Sequence, residues 1–263
     1  MSQYAELMVA SNYSFLRGAS HPEELVATAA LLGTRALAIT DRDSVSGIVR
    51  GHSAAKAVGL QYIPAARLDL MDELSLLVYP TTLNAYGQLC QLLSRGKQRA
   101  PKGECQLWLD DVLADGVCDE WRVIVLSPPD LTEVFRKVLG QIVARMPERT
   151  YVAGQFLYTG DDNRRLAALD ELARIASAPM VAVNDVHAHT PARRPLQDVL
   201  SCIRAGCTIH DAGYRLHANS ERHLKAPSEM ARLFHAYPDA IGRTVEIADA
   251  CTFSLDQLRY VYP

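Results

Sequence analysis

The residues best suited to chemistry fall into a few short stretches. Asn184-Asp-Val-His-Ala-His189 follows the apolar Val181-Ala-Val183, so in an extended chain Asp185, His187 and His189 alternate onto one side. Imidazole and carboxylate at this spacing are ligand types for a divalent metal, which could then activate water. A metal site takes three or four convergent ligands, however, and the motif by itself fits a hydrogen-bonded structural pair better. Thr40-Asp-Arg-Asp43 ends a second apolar run. Asp43 is placed to cap a following helix and Asp41 to face the mouth formed by the strand ends. A catalytic carboxylate pair is the sharper reading, but Arg42 between the two acids points to local charge neutralisation. Arg67 follows a third run, Tyr62-Ile-Pro-Ala-Ala66, in a similar position. Cys202, Cys207 and His210 are zinc-ligand types, but on a helix running into a turn they read as buried thiols and a bystander imidazole. His21, His52, His217, His223 and His235 are scattered and read as surface or core residues. There is no Gly-x-Ser-x-Gly, no Cys beside a His and no glycine-rich loop after the first strand, which argues against nucleophilic and phosphate-loop chemistry.

These stretches must be positioned by alternating strands and helices. Apolar runs at 6–10, 36–40, 62–68, 74–79, 122–126, 151–156 and 180–183 read as strands, mostly parallel and joined by crossover helices. Ser20 with Glu23 forms a capping box for a first helix ending at Gly33, with Pro22 tolerated in its first turn. A second helix, from Ser44 to Gly59, is expected to bury Val45, Ile48, Val49, His52 and Ala55. Asp130 and Glu133 open another through Arg145, and 161–176 is a further one. Residues 94–104, Ser-Arg-Gly-Lys-Gln-Arg-Ala-Pro-Lys-Gly-Glu, read as a basic loop in which Lys97, Arg99 and Lys102 are candidates for phosphate contact. Beyond Asp185 only helical segments follow, at 196–205, 228–235 and 239–251. This divides the chain into an α/β part, 1–190, and a helical extension, 191–263, within one structural unit.

With 263 residues and 49% hydrophobic content the chain can bury a large core. A net charge of −3 gives no global basic field, so any nucleic-acid contact must be a local patch. Six cysteines without a Cys-x-x-Cys pair point to reduced thiols, and no apolar stretch approaches the roughly 18 residues of a membrane span. A cytoplasmic protein is expected.

Several long stretches in order, among them Ser11 to Val26, Ala36 to Leu60, Val181 to Ile209 and Ile241 to Pro263, resemble the N-terminal polymerase-and-histidinol-phosphatase (PHP) domain of bacterial C-family DNA polymerases, within them the error-prone branch. The resemblance implies a distorted (βα)7 barrel with a cluster of up to three metals at its strand ends. Carried over position by position, the ligand set is mostly lost. The first His-x-His falls at Met8 and Ala10, a carboxylate of the first turn at Arg17, the histidine of Thr-Asp-His at Arg42, a glutamate after the third strand at Arg67, and a later histidine, less securely, at Glu73. Only Asp185 and His187 match, with His189 as a further remnant candidate. Guanidiniums cannot ligate metal and oppose its binding at close range. The expectation is therefore a metal-free domain without catalytic residues, in which Arg17, Arg42 and Arg67 pair with Asp41, Glu73 or Asp185 and leave a small anion site at the barrel mouth. It would brace the core of a translesion polymerase in damage tolerance and repair. The resemblance further implies a magnesium-dependent polymerase palm outside this sequence, DNA as that polymerase's substrate, and as partners the polymerase core, a Y-family-like adaptor, a RecA-like accessory protein and the sliding clamp. Two other readings remain: a phosphoesterase or 3′–5′ exonuclease with a reduced site around Asp185, His187 and His189, and a DNA-contacting module built on Lys97, Arg99 and Lys102.

Overall fold

The computed structural model describes residues 3–259. The last four residues of the final matched stretch, 260–263, lie outside the described residues. The chain folds as β1 (Ala5–Val9), α1 (Pro22–Leu31), β2 (Ala36–Ile39), α2 (Ile48–Val58), β3 (Gln61–Pro64), β4 (Ala66–Asp69), β5 (Ser75–Pro80), α3 (Leu83–Arg99), α4 (Leu109–Leu113) and β6 (Trp121–Leu126). It continues through α5 (Glu133–Arg145), β7 (Thr150–Gln155), α6 (Asp162–Ala176), β8 (Met180–Val183), α7 (Arg194–Ala205), α8 (Pro227–Leu233) and α9 (Pro238–Ala250).

Parallel pairing joins β1, β2 and β3 in one sheet, and β4 to β8 form a second in sequence order, antiparallel at β4–β5–β6 and parallel from β6 to β8. The strand expected over 62–68 is thus two strands, interrupted at Ala65, and its halves belong to different sheets. Isolated bridges span the gaps: Val9 with Val186 on one side and Arg42 with Arg67 on the other. Among the described residues these strands do not close into one continuous hydrogen-bonded ring. The inner faces carry one cluster of Leu7, Ala38, Ile63, Leu77, Ile124, Ala153 and Val183, while Leu76, Val78, Val123 and Val152 face outward onto the surrounding helices. Burying such aliphatic side chains contributes about 1.5–3 kcal/mol each. The helical extension shares these cores: α9 seals one end with Ile247 and Ala248, and α8 adds Met230 and Leu233 to the outer layer.

Several sequence-based boundaries move for identifiable reasons. The cap of α1 is His21, whose backbone N–H donates to Glu24 at 2.9 Å, because the Ser20 hydroxyl is engaged with His189 instead. Residues 44–47 form a turn before α2, so the helix starts at Ile48 rather than Ser44, and Val49 lies 63% exposed rather than against the sheet. Thr132 caps α5 in place of Asp130. The basic segment 94–104 is not a loop throughout: α3 runs to Arg99, placing Leu89, Leu92, Leu93 and Gly96 on its buried face. A β-carbon at Gly96 would lie 2.6 Å from the Cys105 sulfur, which explains why a residue with poor helix propensity sits there.

Candidate functional site

The strand ends converge on a cavity of about 280 Å3 lined by Met8, Arg17, Arg42, Arg67, Asp185 and His187, together with Glu73, Arg204, His217 and Arg222. Two of its arginines belong to an ion-pair network whose acid, Asp69, lines the groove beside it. Asp69, two residues after Arg67 on β4, accepts from Arg67 Nε at 2.7 Å, from Ser75 Oγ at 2.6 Å, and from Arg42 Nη1. Arg67 Nη2 also donates to Ser75 Oγ at 3.1 Å. The expected partners of the arginines are therefore replaced. Asp41 is buried away from the cavity, where it accepts from the Ser11 hydroxyl at 2.7 Å, the Ser14 hydroxyl at 2.6 Å and the Ser11 amide at 2.8 Å. Glu73 lines the mouth but forms no ion pair with an arginine among the described residues. Asp43 does not cap α2; its Oδ1 accepts from the Asp69 amide at 3.1 Å.

Asp185 and His187 do come together, with His187 Nε2 3.3 Å from Asp185 Oδ1. The other oxygen of Asp185 is bound by Arg222 Nη1 from the helical extension. His189 departs from them: Asp185 has a positive φ of 49°, which breaks the simple alternation, and His189 Nδ1 lies 2.7 Å from Ser20 Oγ. In its place His217 stacks edge-on against the His187 ring at 5.1 Å. Burial alone would raise the Asp185 carboxyl, but Arg222, His187 and Arg67 outweigh it and hold the group well below the usual carboxylate range. Burial, with Arg222 and His187, pushes His217 down to about 3, so it is neutral at physiological pH. Burial pulls Arg42 down to about 9, reinforced by Arg67 and Arg17, and burial raises Asp43 to about 6. Arg42 still carries its charge at neutral pH.

Beside the mouth runs a larger groove of about 700 Å3 that shares Arg17, Arg42 and Arg204 and is walled by Tyr13, Phe15, Lys97 and Lys102. Arg99 is not part of it; at the end of α3 it pairs with Asp111 at 2.6 Å. Among the described residues no three His, Cys, Asp or Glu side chains converge as metal ligands. Arg17 and Arg42 at the mouth bring fixed positive charge instead.

Residues 6–168 match the PHP domain family. The chain belongs to the PHP family. It is 47% identical over 262 residues, 99% of its length, to an error-prone DNA polymerase of Caulobacter vibrioides, and 44% identical over 261 residues to error-prone DNA polymerase 1 of Agrobacterium fabrum. It spans about a quarter of the length of these curated relatives, 24% of each. Two solved structures share the PHP-like fold. A candidate metal-dependent phosphoesterase from Bifidobacterium adolescentis superposes with a TM-score of 0.54 at 13% identity, over 71% of this chain and 88% of that one. An amidohydrolase from Chromobacterium violaceum, solved with sulfate and no metal, superposes with a TM-score of 0.53 at 14% identity, over 70% and 88%. At such identities the likeness concerns fold alone. No helix among the described residues is long and apolar enough to cross a membrane.

Asp69, Arg222, Arg204 and His217 are the site residues that sequence reasoning did not single out. Asp69 carried a signal, since i and i+2 share a face of a strand and Arg67 was already a candidate. Arg222 carried none, because it reaches Asp185 across 37 residues of chain.

Proposed function

We propose that this chain is a catalytically silent PHP domain of an error-prone DNA polymerase, in which arginine–carboxylate pairs hold together a mouth that metals would otherwise organise. The observation that carries this is Asp69 between Arg42 and Arg67. Two guanidiniums stand at positions that the family resemblance assigns to ligands, and one carboxylate, two residues on from Arg67, bridges them. Charge-assisted hydrogen bonds from a planar fork are strong and directional, and they fix the strand ends without a cation. Asp185, the best preserved acid, is likewise committed to Arg222.

In this reading the domain braces the polymerase core of the same polypeptide in the cytoplasm, during translesion synthesis in damage tolerance and repair. The magnesium-dependent nucleotidyl transfer belongs to the palm, whose partners would include DNA, a Y-family-like adaptor, a RecA-like accessory protein and the sliding clamp. High identity over the whole chain to proteins named error-prone DNA polymerases supports the assignment of the parent. The test is elemental analysis of purified protein together with an assay on a phosphodiester and a 3′-mismatched primer. Substoichiometric zinc, manganese and iron with no hydrolysis is the expected result. Stoichiometric metal, or hydrolysis abolished by chelator and by His187→Ala, overturns the proposal.

A further inference from the structure

The mouth holds more positive charge than its own carboxylates neutralise. Of its five guanidiniums, Arg42 and Arg67 share Asp69, and Arg222 is paired with Asp185. Arg17 and Arg204 remain. The Arg17 side chain makes no hydrogen bond and no ion pair among the described residues, although it is half-buried and Asp43 is the carboxylate that acts on it through space. Arg204 donates to the Leu16 carbonyl at 2.8 Å and has no carboxylate partner among the described residues. The two line both the mouth cavity and the adjoining groove, and the charge of Arg17 adds to burial in depressing the charged form of Arg204. Like charges held together at a cavity rim are costly unless an anion comes between them.

We infer that the mouth binds a phosphate monoester or inorganic phosphate between Arg17 and Arg204. This rests on the proposed absence of metals there. Charge selects the class: a phosphate monoester carries about −1.5 to −2 at neutral pH and matches two unpaired guanidiniums, whereas an internal phosphodiester of DNA brings one charge per group. Size agrees, because 280 Å3 lies just below the roughly 300–1,000 Å3 typical of pockets for larger ligands. His217, which lines the same cavity and has no ring hydrogen bond among the described residues, adds a nitrogen capable of hydrogen bonding to a phosphoryl oxygen. The contiguous groove leads from Arg17 past Tyr13 and the 80%-exposed Phe15, aromatic surfaces on which a nucleobase attached to the phosphate can lie.

The experiment is calorimetric titration of chelator-treated protein with inorganic phosphate, with a deoxynucleoside 5′-monophosphate, and with a short oligonucleotide lacking terminal phosphates. One saturable site for phosphate and for the nucleotide is expected, with Arg17→Gln weakening both by about ten- to a hundredfold, the range of one or two charge-assisted hydrogen bonds. Since the Arg17 side chain has no structural partner, that variant keeps its fold; Arg99→Gln, outside the cavity, keeps wild-type affinity. Tighter binding of the nucleotide than of free phosphate identifies a nucleotide end as the source, and equal binding identifies the free ion. Absence of a stoichiometric site, indifference to Arg17→Gln, or preference for the unphosphorylated oligonucleotide overturns the inference. Its failure is distinguishable from that of the metal-free reading, which is decided by the metal content of the protein before chelation.

Discussion

Replacing Asp69 by Asn removes the one carboxylate that Arg42 and Arg67 share while keeping the shape of the side chain. The three side chains are 27%, 22% and 16% exposed, so solvent can compensate only in part. A hydrogen bond to a charged group is worth about 1.5–3 kcal/mol, and breaking a fully buried pair about 3–5 kcal/mol. Two such bonds are weakened here, two like charges face each other without a counterion, and partial exposure offsets some of this, giving a loss of about 2–4 kcal/mol. At about 2–4 °C per kcal/mol for domains near this size, Tm falls by roughly 5–15 °C. Paired urea and thermal denaturation of wild type and Asp69→Asn measures the difference. Adding Arg67→Met should restore part of the loss, since one of the two stranded charges is then gone. A loss below about 1 kcal/mol, or no coupling in the double-mutant cycle, would mean that the mouth is not held by this network.

Other perturbations probe separate links. Met8→His combined with Ala10→His, which restores the first ligand pair of the family, should not confer tight zinc or manganese binding in equilibrium dialysis, because Arg42 and Arg67 remain at the mouth; nanomolar uptake would contradict the charge-substitution account. Gly18→Ala should cost several kcal/mol in urea unfolding, since its β-carbon would lie 2.1 Å from the Ser11 carbonyl oxygen and only backbone movement could relieve it; near-wild-type stability would show that the turn carrying Arg17 is loosely held. Burial raises Glu6, fully buried on β1 where it accepts from the Tyr4 hydroxyl at 3.0 Å, to about 7. Its native pKa exceeds its unfolded value, so the folded state binds the extra proton, and stability falls as pH rises from about 4.5 to 7. Glu6→Gln should flatten that part of the stability profile, and an unchanged slope would place the titration elsewhere.

Much of the fold was readable because parallel strands buried on both faces appear as unbroken aliphatic runs, as at 36–39 and 180–183. Helix α3 was not, although Leu89, Leu92 and Leu93 keep a helical spacing, because its glycines and its cations resemble a loop when taken locally. The break at Ala65 also leaves no trace in hydrophobicity: both halves are apolar, and only the pairing partners differ. At the site, Arg17, Arg42, Arg67 and the Asp185–His187 remnant were legible in the sequence, whereas Arg204, Arg222 and the identity of each counterion depended on tertiary geometry. Arg42 found an acid on the next sheet rather than in its own motif, and Ser20 left its capping role for a distant histidine.

The seam between the two sheets has a consequence of its own. On the Arg42 side it is stitched by two backbone hydrogen bonds, Asp43 to Arg67 at 2.7 Å and Arg67 to Asp41 at 3.0 Å, and clamped by the partly hydrated Asp69 pairs. Ionic strength weakens that clamp while leaving the hydrocarbon interior untouched. Salt, rather than a chelator, is then the reagent that unfastens the barrel. Amide exchange at Asp43 and Arg67 should accelerate with added chloride while β6 and β7 stay protected, making the seam a local opening coordinate separate from global unfolding.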